Sequence, residues 1–258
     1  MSIAMNSVQL FQEKVLKSTG KTYVAEKDPP VKKAGNKKAV QKKVAADALP
    51  LGQAKRGSLR DELIRITLKT IDEKGYQALR ARALTDEAGC ALGGLYTVFP
   101  DMDALIITAK LQILDQLDRE MAELGSAKPD AEGATLHLLA LADAYLGFAT
   151  TRLRRWQTLF QHRLSEDALL PEAYFLRLTE IFKHVEKPLS FILPQSSAAA
   201  RAATGRALFA AVHGIVVLGL EQRLGLTPVD AIRAQFHILV RSVAAGLILQ
   251  PDLANAAR

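Results

Sequence analysis

Residues 75–105 read GYQALRARALTDEAGCALGGLYTVFPDMDAL, and this stretch decides how the chain is organised. Two short helical patterns, 81–88 and 92–98, meet at Gly89-Cys90-Ala91, and Tyr96 and Phe99 close the second. Glycine permits a tight reversal between packed helices. A short helix, such a turn and a second short helix are the layout of a helix-turn-helix, whose second helix enters a DNA major groove.

A longer helix precedes the pair. Ser58-Leu59-Arg60-Asp61 has the form of a capping box, and apolar residues recur at Leu59, Leu63, Ile66 and at Ile64, Leu68, Ile71. Lys74-Gly75 supplies the stop signal. At the head of the next helix, Arg80 and Arg82 can join the first backbone amides in gripping a phosphate, whereas Asp86 and Glu87 suit solvent. The third helix holds Gly93 and Gly94, each costing about 1 kcal/mol relative to alanine. Packing of Leu95 and Phe99 must therefore stabilise it. Two reasons for those glycines stand: close approach to DNA, or close approach to a neighbouring helix.

The run Ala88-Gly89-Cys90-Ala91-Leu92-Gly93-Gly94-Leu95-Tyr96-Thr97-Val98-Phe99 resembles the DNA-binding domain of the tetracycline-repressor (TetR) family. The family pattern is close to Ala-Gly-Val-Ser-x-Gly-x-Leu-Tyr-x-His-Phe. Ala88, Gly89, Gly93, Leu95, Tyr96 and Phe99 match it in register. The resemblance implies a phosphate contact for Tyr96 and a DNA-facing set of Arg80, Arg82, Ala91, Leu92, Gly93, Gly94, Tyr96 and Thr97. Asp101 is the expected cap of the following helix. Three positions depart from the family: Ala91 replaces a serine, Val98 a histidine and Met102 a lysine. Residues 57–108 carry 6 basic and 8 acidic side chains, so the domain has little positive charge of its own.

Charge lies upstream instead. Residues 1–56 hold 12 Lys and Arg against 4 Asp and Glu, and this tail accounts for the net charge of +7. With few apolar residues it is expected to be disordered. It is either an arm adding non-specific phosphate contacts or a solubilising extension. The single cysteine, Cys90, excludes an intrachain disulfide, fits a reducing cytoplasmic setting, and reads as a small apolar residue or, less simply, a redox sensor. No uninterrupted apolar run approaches the ~18 residues of a membrane span, and, with no basic stretch leading into an apolar core at the N-terminus, a secretion signal is not expected.

Beyond residue 106 the pattern is helical throughout. Helices are expected to 124, over 131–152, around Trp156 to Leu164, from Pro171 until Pro188 ends or kinks it, from a Ser196 or Ser197 cap to 224, and from a Thr227 cap with Pro228 at the first position to 250. Eight of the fifteen aromatic residues lie within 145–191. They form either an ordinary core or the wall of an apolar pocket between helices. Since the resemblance implies a sensor domain, Tyr145, Phe148, Trp156, Phe160, His162, Tyr174, Phe175 and His213 are the candidate ligand residues. His213-Gly214 keeps part of a Trp-His-Gly signature of a TetR subgroup, with Val212 at the Trp position, and His213 either serves a pocket or interface or satisfies a local hydrogen bond. Small residues along 198–219 suit close helix packing. A four-helix dimer interface would use Ala203, Ala207, Ala210, Ala211 and Gly214 with Phe236 and Val240.

Phosphate loop, dinucleotide fingerprint, zinc spacing and nucleophile elbow are all missing from the sequence, so neither an enzyme nor a cofactor is expected. The expectation is an all-α chain of about nine helices: a basic extension (1–56), a three-helix DNA-binding domain (57–105) and a helical effector-binding and dimerisation domain (106–258). Its expected function is that of a ligand-responsive transcription regulator, a repressor, binding a near-palindromic operator as a homodimer. A small, largely apolar effector would control it. The alternative is an all-helical interaction protein whose lysine-rich tail binds nucleic acid without sequence choice.

Overall fold

The computed structural model describes residues 51–164, 170–223 and 225–255, and these form nine α-helices, two 3-10 turns and no strand. Expectations about the lysine-rich tail before residue 51 lie outside the described residues.

Helix α1 spans Leu51–Lys74 and buries Leu63, Ile64, Ile66 and Ile71. It begins upstream of the expected Ser58 cap, so Ser58 lies within the helix and 51–56 belongs to it rather than to the extension. The capping-box pattern misled because Gln53-Ala54-Lys55-Arg56 are good helix formers, and one glycine, Gly57, costs only about 1 kcal/mol. The stop signal at Gly75 holds: its φ of 81° with ψ of 164° is a conformation that glycine alone adopts readily, and it turns the chain into the 3-10 segment Tyr76–Ala78.

Helices α2 (Ala81–Glu87) and α3 (Leu92–Val98) follow, joined through Gly89 at φ 64°. Helix α4 (Met102–Ala122) starts at the expected cap, where Asp101 Oδ1 accepts from the Ala104 amide at 2.7 Å. It runs unbroken across residue 105, so the helix-turn-helix region and the body share one helix.

The body comprises α5 (Ala131–Thr151), α6 (Leu153–Gln161), α7 (Glu172–Ile192), α8 (Ala198–Leu220) and α9 (Val229–Leu249). Helix α7 passes through Pro188 and ends only after Ile192. The ring removes one backbone donor, and burial of Pro188 and Leu189 in the core offsets that loss. Ser197, not Ser196, caps α8, accepting from the Ala200 amide at 3.1 Å. Thr227 is not the cap of α9: Pro228 holds that position, and the Thr227 hydroxyl donates to the Gly225 carbonyl at 3.2 Å.

Helices α8 and α9 meet closely at Gly219, where a Cβ would stand 2.6 Å from Ile232 Cδ1. Both are long and apolar enough to cross a membrane by length and composition, although only 28% of each apolar window is buried. Neither is an uninterrupted apolar run, since Arg206 and His213 interrupt α8, and Arg233 and Arg241 interrupt α9.

Three of the scattered histidines join helices through aspartates. His162 Nε2 lies 3.0 Å from Asp103 Oδ1, His184 Nε2 2.8 Å from Asp118 Oδ1, and His237 Nε2 3.0 Å from Asp143 Oδ2.

Candidate functional site

The outer face of α3 is built from a helix too short to stand alone. Leu95 is fully buried, Phe99 is 3% exposed beneath the Arg60 guanidinium, and Leu84 of α2 completes the seat. Burying one such leucine stabilises by roughly 1.5–3 kcal/mol, enough to offset two glycines. That anchor turns Ala91, Leu92, Gly93, Tyr96 and Thr97 toward solvent, with Tyr96 48% and Leu92 41% exposed.

The two glycines separate. A Cβ on Gly93 would meet nothing within 4 Å, whereas one on Gly94 would touch Cys90 Sγ at 3.4 Å and Leu59 Cδ2 at 3.7 Å. Gly94 thus belongs to the packed side of α3, not to the DNA-facing set, because the helical period carries it under the turn. Cys90 is half-buried against it, as a small apolar residue would be. Arg82 is exposed and has no ion pair among the described residues, while the Arg80 guanidinium folds back to donate to the carbonyls of Gln77 and Leu79 at 2.8 Å each. Ala91 stands at the α3 cap with no side-chain acceptor, and the Thr97 hydroxyl donates to the Gly94 carbonyl at 2.7 Å.

In the body, half of the candidate ligand set converges. Trp156 Nε1 donates to the Tyr145 hydroxyl at 2.8 Å, and that hydroxyl lies 2.6 Å from His213 Nδ1. The Phe160 and His213 ring centroids are 4.2 Å apart, with Phe209 stacked against the imidazole at 5.6 Å and an interplanar angle of 14°. Phe182 packs edge-on against Phe209 at 5.4 Å. Burial pushes the His213 pKa down to about 4 and raises that of Tyr145 above the ordinary phenol range. The result is an aromatic nest around a neutral imidazole, with Phe160 41% exposed at its rim. Phe209 was missing from the sequence reading, although its place four residues before His213 puts both on one helical face.

The other candidates lie apart from the nest. His162 packs edge-on against Tyr76 at 5.9 Å, and Tyr174 lies beneath the Lys110 ammonium. Phe148 is fully buried under Arg152, and Phe175 is half-buried with no ring partner among the described residues. One pocket lined by all eight is therefore not formed. Aromatics spaced along three helices point to whichever neighbour each helix meets. Two open clefts accompany the fold, about 430 Å³ lined by Gln112, Asp115, Asp118 and Arg177, and about 530 Å³ lined by Asp61, Leu68, Asp72 and Arg155. The first is mainly polar and the second mixed, and neither is lined by a residue of the nest.

The stripe on α8 faces outward in part: Ala207 and Ala210 are exposed, and Ala203, Ala211 and Gly214 half-buried. Phe236 and Val240 do not join it, being 0% and 1% exposed inside the protomer. Their heptad-like spacing on α9 serves the protomer's own core. The outward face of α9 carries Ile238, Ala245 and Leu249 instead.

The sequence model of the tetracyclin repressor-like C-terminal domain matches residues 138–243, from α5 into α9. Over these residues the body is similar to the tetracyclin repressor-like C-terminal domain. The whole TetR-like layout, helix-turn-helix followed by helical body, recurs in solved structures. A protein of unknown function from Rhodococcus sp. RHA1 superposes with a TM-score of 0.56 at 20% identity, over 71% of this chain and 94% of that one. A TetR-family transcriptional regulator from Streptomyces coelicolor gives 0.53 at 16% identity, over 77% and 89%. No curated protein matches the sequence.

Helix α6 connects the nest to α1 and the 3-10 segment that follows it. One side holds Trp156 and Phe160. From the other, Arg155 grips Asp72 through two hydrogen bonds of 2.6 and 2.5 Å, Arg154 donates to the terminal carbonyls of α1 at Asp72 and Glu73, and the Gln161 carbonyl accepts from the Tyr76 hydroxyl at 2.9 Å. The arginines meet the negative end of the α1 dipole, which favours cations there.

Proposed function

We propose that the chain is a ligand-responsive, DNA-binding transcription regulator of the cytoplasm, a repressor that acts as a homodimer on a near-palindromic operator. The observation carrying this reading is the solvent face of α3, where Leu92, Gly93, Tyr96 and Thr97 stand outward on a helix anchored by Leu95 and Phe99. Arg82, and Arg80 once it turns from its own carbonyls, would grip the flanking phosphates. Two copies would present these helices roughly 34–36 Å apart, one turn of duplex. The outward small-residue stripe of α8 with Ile238 and Leu249 of α9 would form the dimer seam, the small side chains suiting a partner helix better than lipid. A small effector at the aromatic nest would shift the dimer between states of different operator spacing, by binding one state more tightly. Helix α6 would carry the change to α1.

Footprinting of the DNA around the chain's own gene tests the reading. A protected palindrome is expected, weakened roughly tenfold by Arg80→Ala and by Tyr96→Phe, as loss of a charge-assisted phosphate contact implies. Absence of any protected palindrome would overturn it.

A further inference from the structure

Lys110 is 5% exposed on the inward stripe of α4 that also holds Ile106, Ile113, Leu114 and Leu117. Its ammonium has no ion pair or hydrogen bond among the described residues. The Tyr174 ring of α7 lies 5.5 Å from Nζ. A lone buried ammonium is costly, and lysine is almost never fully buried unless paired. Burial brings its pKa down to about 8, which still leaves most of the population charged at neutral pH.

Two further unmatched polar groups lie around it. Tyr174 is 7% exposed, its hydroxyl makes no hydrogen bond among the described residues, and burial pushes its pKa up to about 12. Nδ1 of His162, at the end of α6, is buried with no hydrogen-bond partner among the described residues, while Nε2 faces Asp103. Burial lowers the His162 pKa first, and the positive charge of Lys110 lowers it further, which puts the two groups within electrostatic reach. Asp103 opposes both effects. The imidazole is thus neutral, donating through Nε2 and leaving Nδ1 bare.

We propose that Lys110, Tyr174 and His162, at the junction of α4, α6 and α7, form an anion site that takes the carboxylate of a small apolar acid. This rests on the regulator reading and names the class of its effector. One ammonium in an apolar stripe matches one negative charge, so a monocarboxylate fits better than a dianionic phosphate. The carboxylate would pair with Lys110 and accept from the Tyr174 hydroxyl. Its charge would favour protonation of His162, whose Nδ1–H would become a further donor to it. That protonation alters the contact with Asp103 in the first turn of α4 and with Tyr76 beside α1, so the charge is felt where the body meets the DNA-binding helices.

Thermal melting of the full chain with decanoate, phenylacetate, their primary amides and inorganic phosphate tests the site, alongside Lys110→Met and Tyr174→Phe. At least one of the two acids should raise the melting temperature in a saturable way, and more than its amide does. Lys110→Met should melt no lower than the parent without ligand, since it removes an unpaired buried charge, and should bind that acid at least tenfold more weakly. Tyr174→Phe keeps the ring and should lose a few-fold. Parent-like acid binding by Lys110→Met, a lower melting point for it without ligand, no response to either acid, or an equal response to phosphate would each overturn the proposal. Operator footprinting of Lys110→Met separates the two claims. A retained footprint with lost acid binding supports both, whereas acid binding through Lys110 in a chain that protects no operator sinks only the regulator reading.

Discussion

Tyr145 and His213 share a 2.6 Å hydrogen bond that a third residue, Trp156, joins at the phenol oxygen. Trp156 Nε1 donates to the same hydroxyl, which leaves the phenol proton to be donated to Nδ1 of a neutral His213 that carries its own proton on Nε2. The chain from α6 through α5 to α8 accommodates a neutral histidine, in agreement with a pKa lowered by burial to about 4.

A pH dependence follows. The unfolded histidine titrates near 6.5, so between about 6.5 and 4 the unfolded chain takes up a proton that the folded one refuses. This contribution to stability is whole above 6.5 and is lost as pH falls toward 4. Burial lowers the pKa of His162 and His137 too, in the same direction. Melting temperature should decline over that window, and His213→Gln should flatten part of the slope. Trp156, the sole tryptophan, reports the event by fluorescence. An unchanged slope in His213→Gln would show that the nest does not exclude the proton.

Leu92 and Leu95 sit one turn apart and should behave oppositely. Leu95→Ala removes a fully buried side chain and should cost about 2–5 kcal/mol in denaturant unfolding. Leu92→Ala, at a position 41% exposed, should stay within about 0.5 kcal/mol while reducing operator affinity. A stability loss at Leu92 equal to that at Leu95 would place α3 inside the molecule.

The proposed seam can be broken by charge. Ala210→Arg on the exposed side of α8 should convert a dimer to a monomer in sedimentation, whereas Phe236→Ala should lower stability by about 3–5 kcal/mol through a core cavity. A dimer that survives Ala210→Arg would move the seam elsewhere.

Removing residues 1–48 addresses the lysine-rich tail. If α3 provides sequence choice, the truncated chain should keep its preference for one operator with weaker binding and a shallower salt slope, since fewer phosphates are neutralised. Loss of all DNA binding would favour a non-specific, tail-driven protein.

Much was legible in the order of residues because it depended on local rules. Gly75, Gly89 and Asp101 marked turns and a cap through their own backbone needs, and the 3.6-residue spacing of Leu59 to Ile71 marked a helix face. The capping box at Ser58 failed for the same reason that others held: a local pattern is overruled when the residues before it also favour a helix.

By itself the sequence determined an all-helical chain, its helix-turn-helix and the residues that terminate its helices, since these follow from neighbours in the chain. Only the tertiary structure decided that Gly93 faces out and Gly94 in, that Phe236 and Val240 fill the protomer's own core, and that four of the eight ligand candidates gather at the His213 nest while Tyr174 and His162 lie at the Lys110 junction and Phe148 and Phe175 at neither. Periodicity shows which side of a helix is apolar, whereas the helix that covers that side comes from residues far away in the chain.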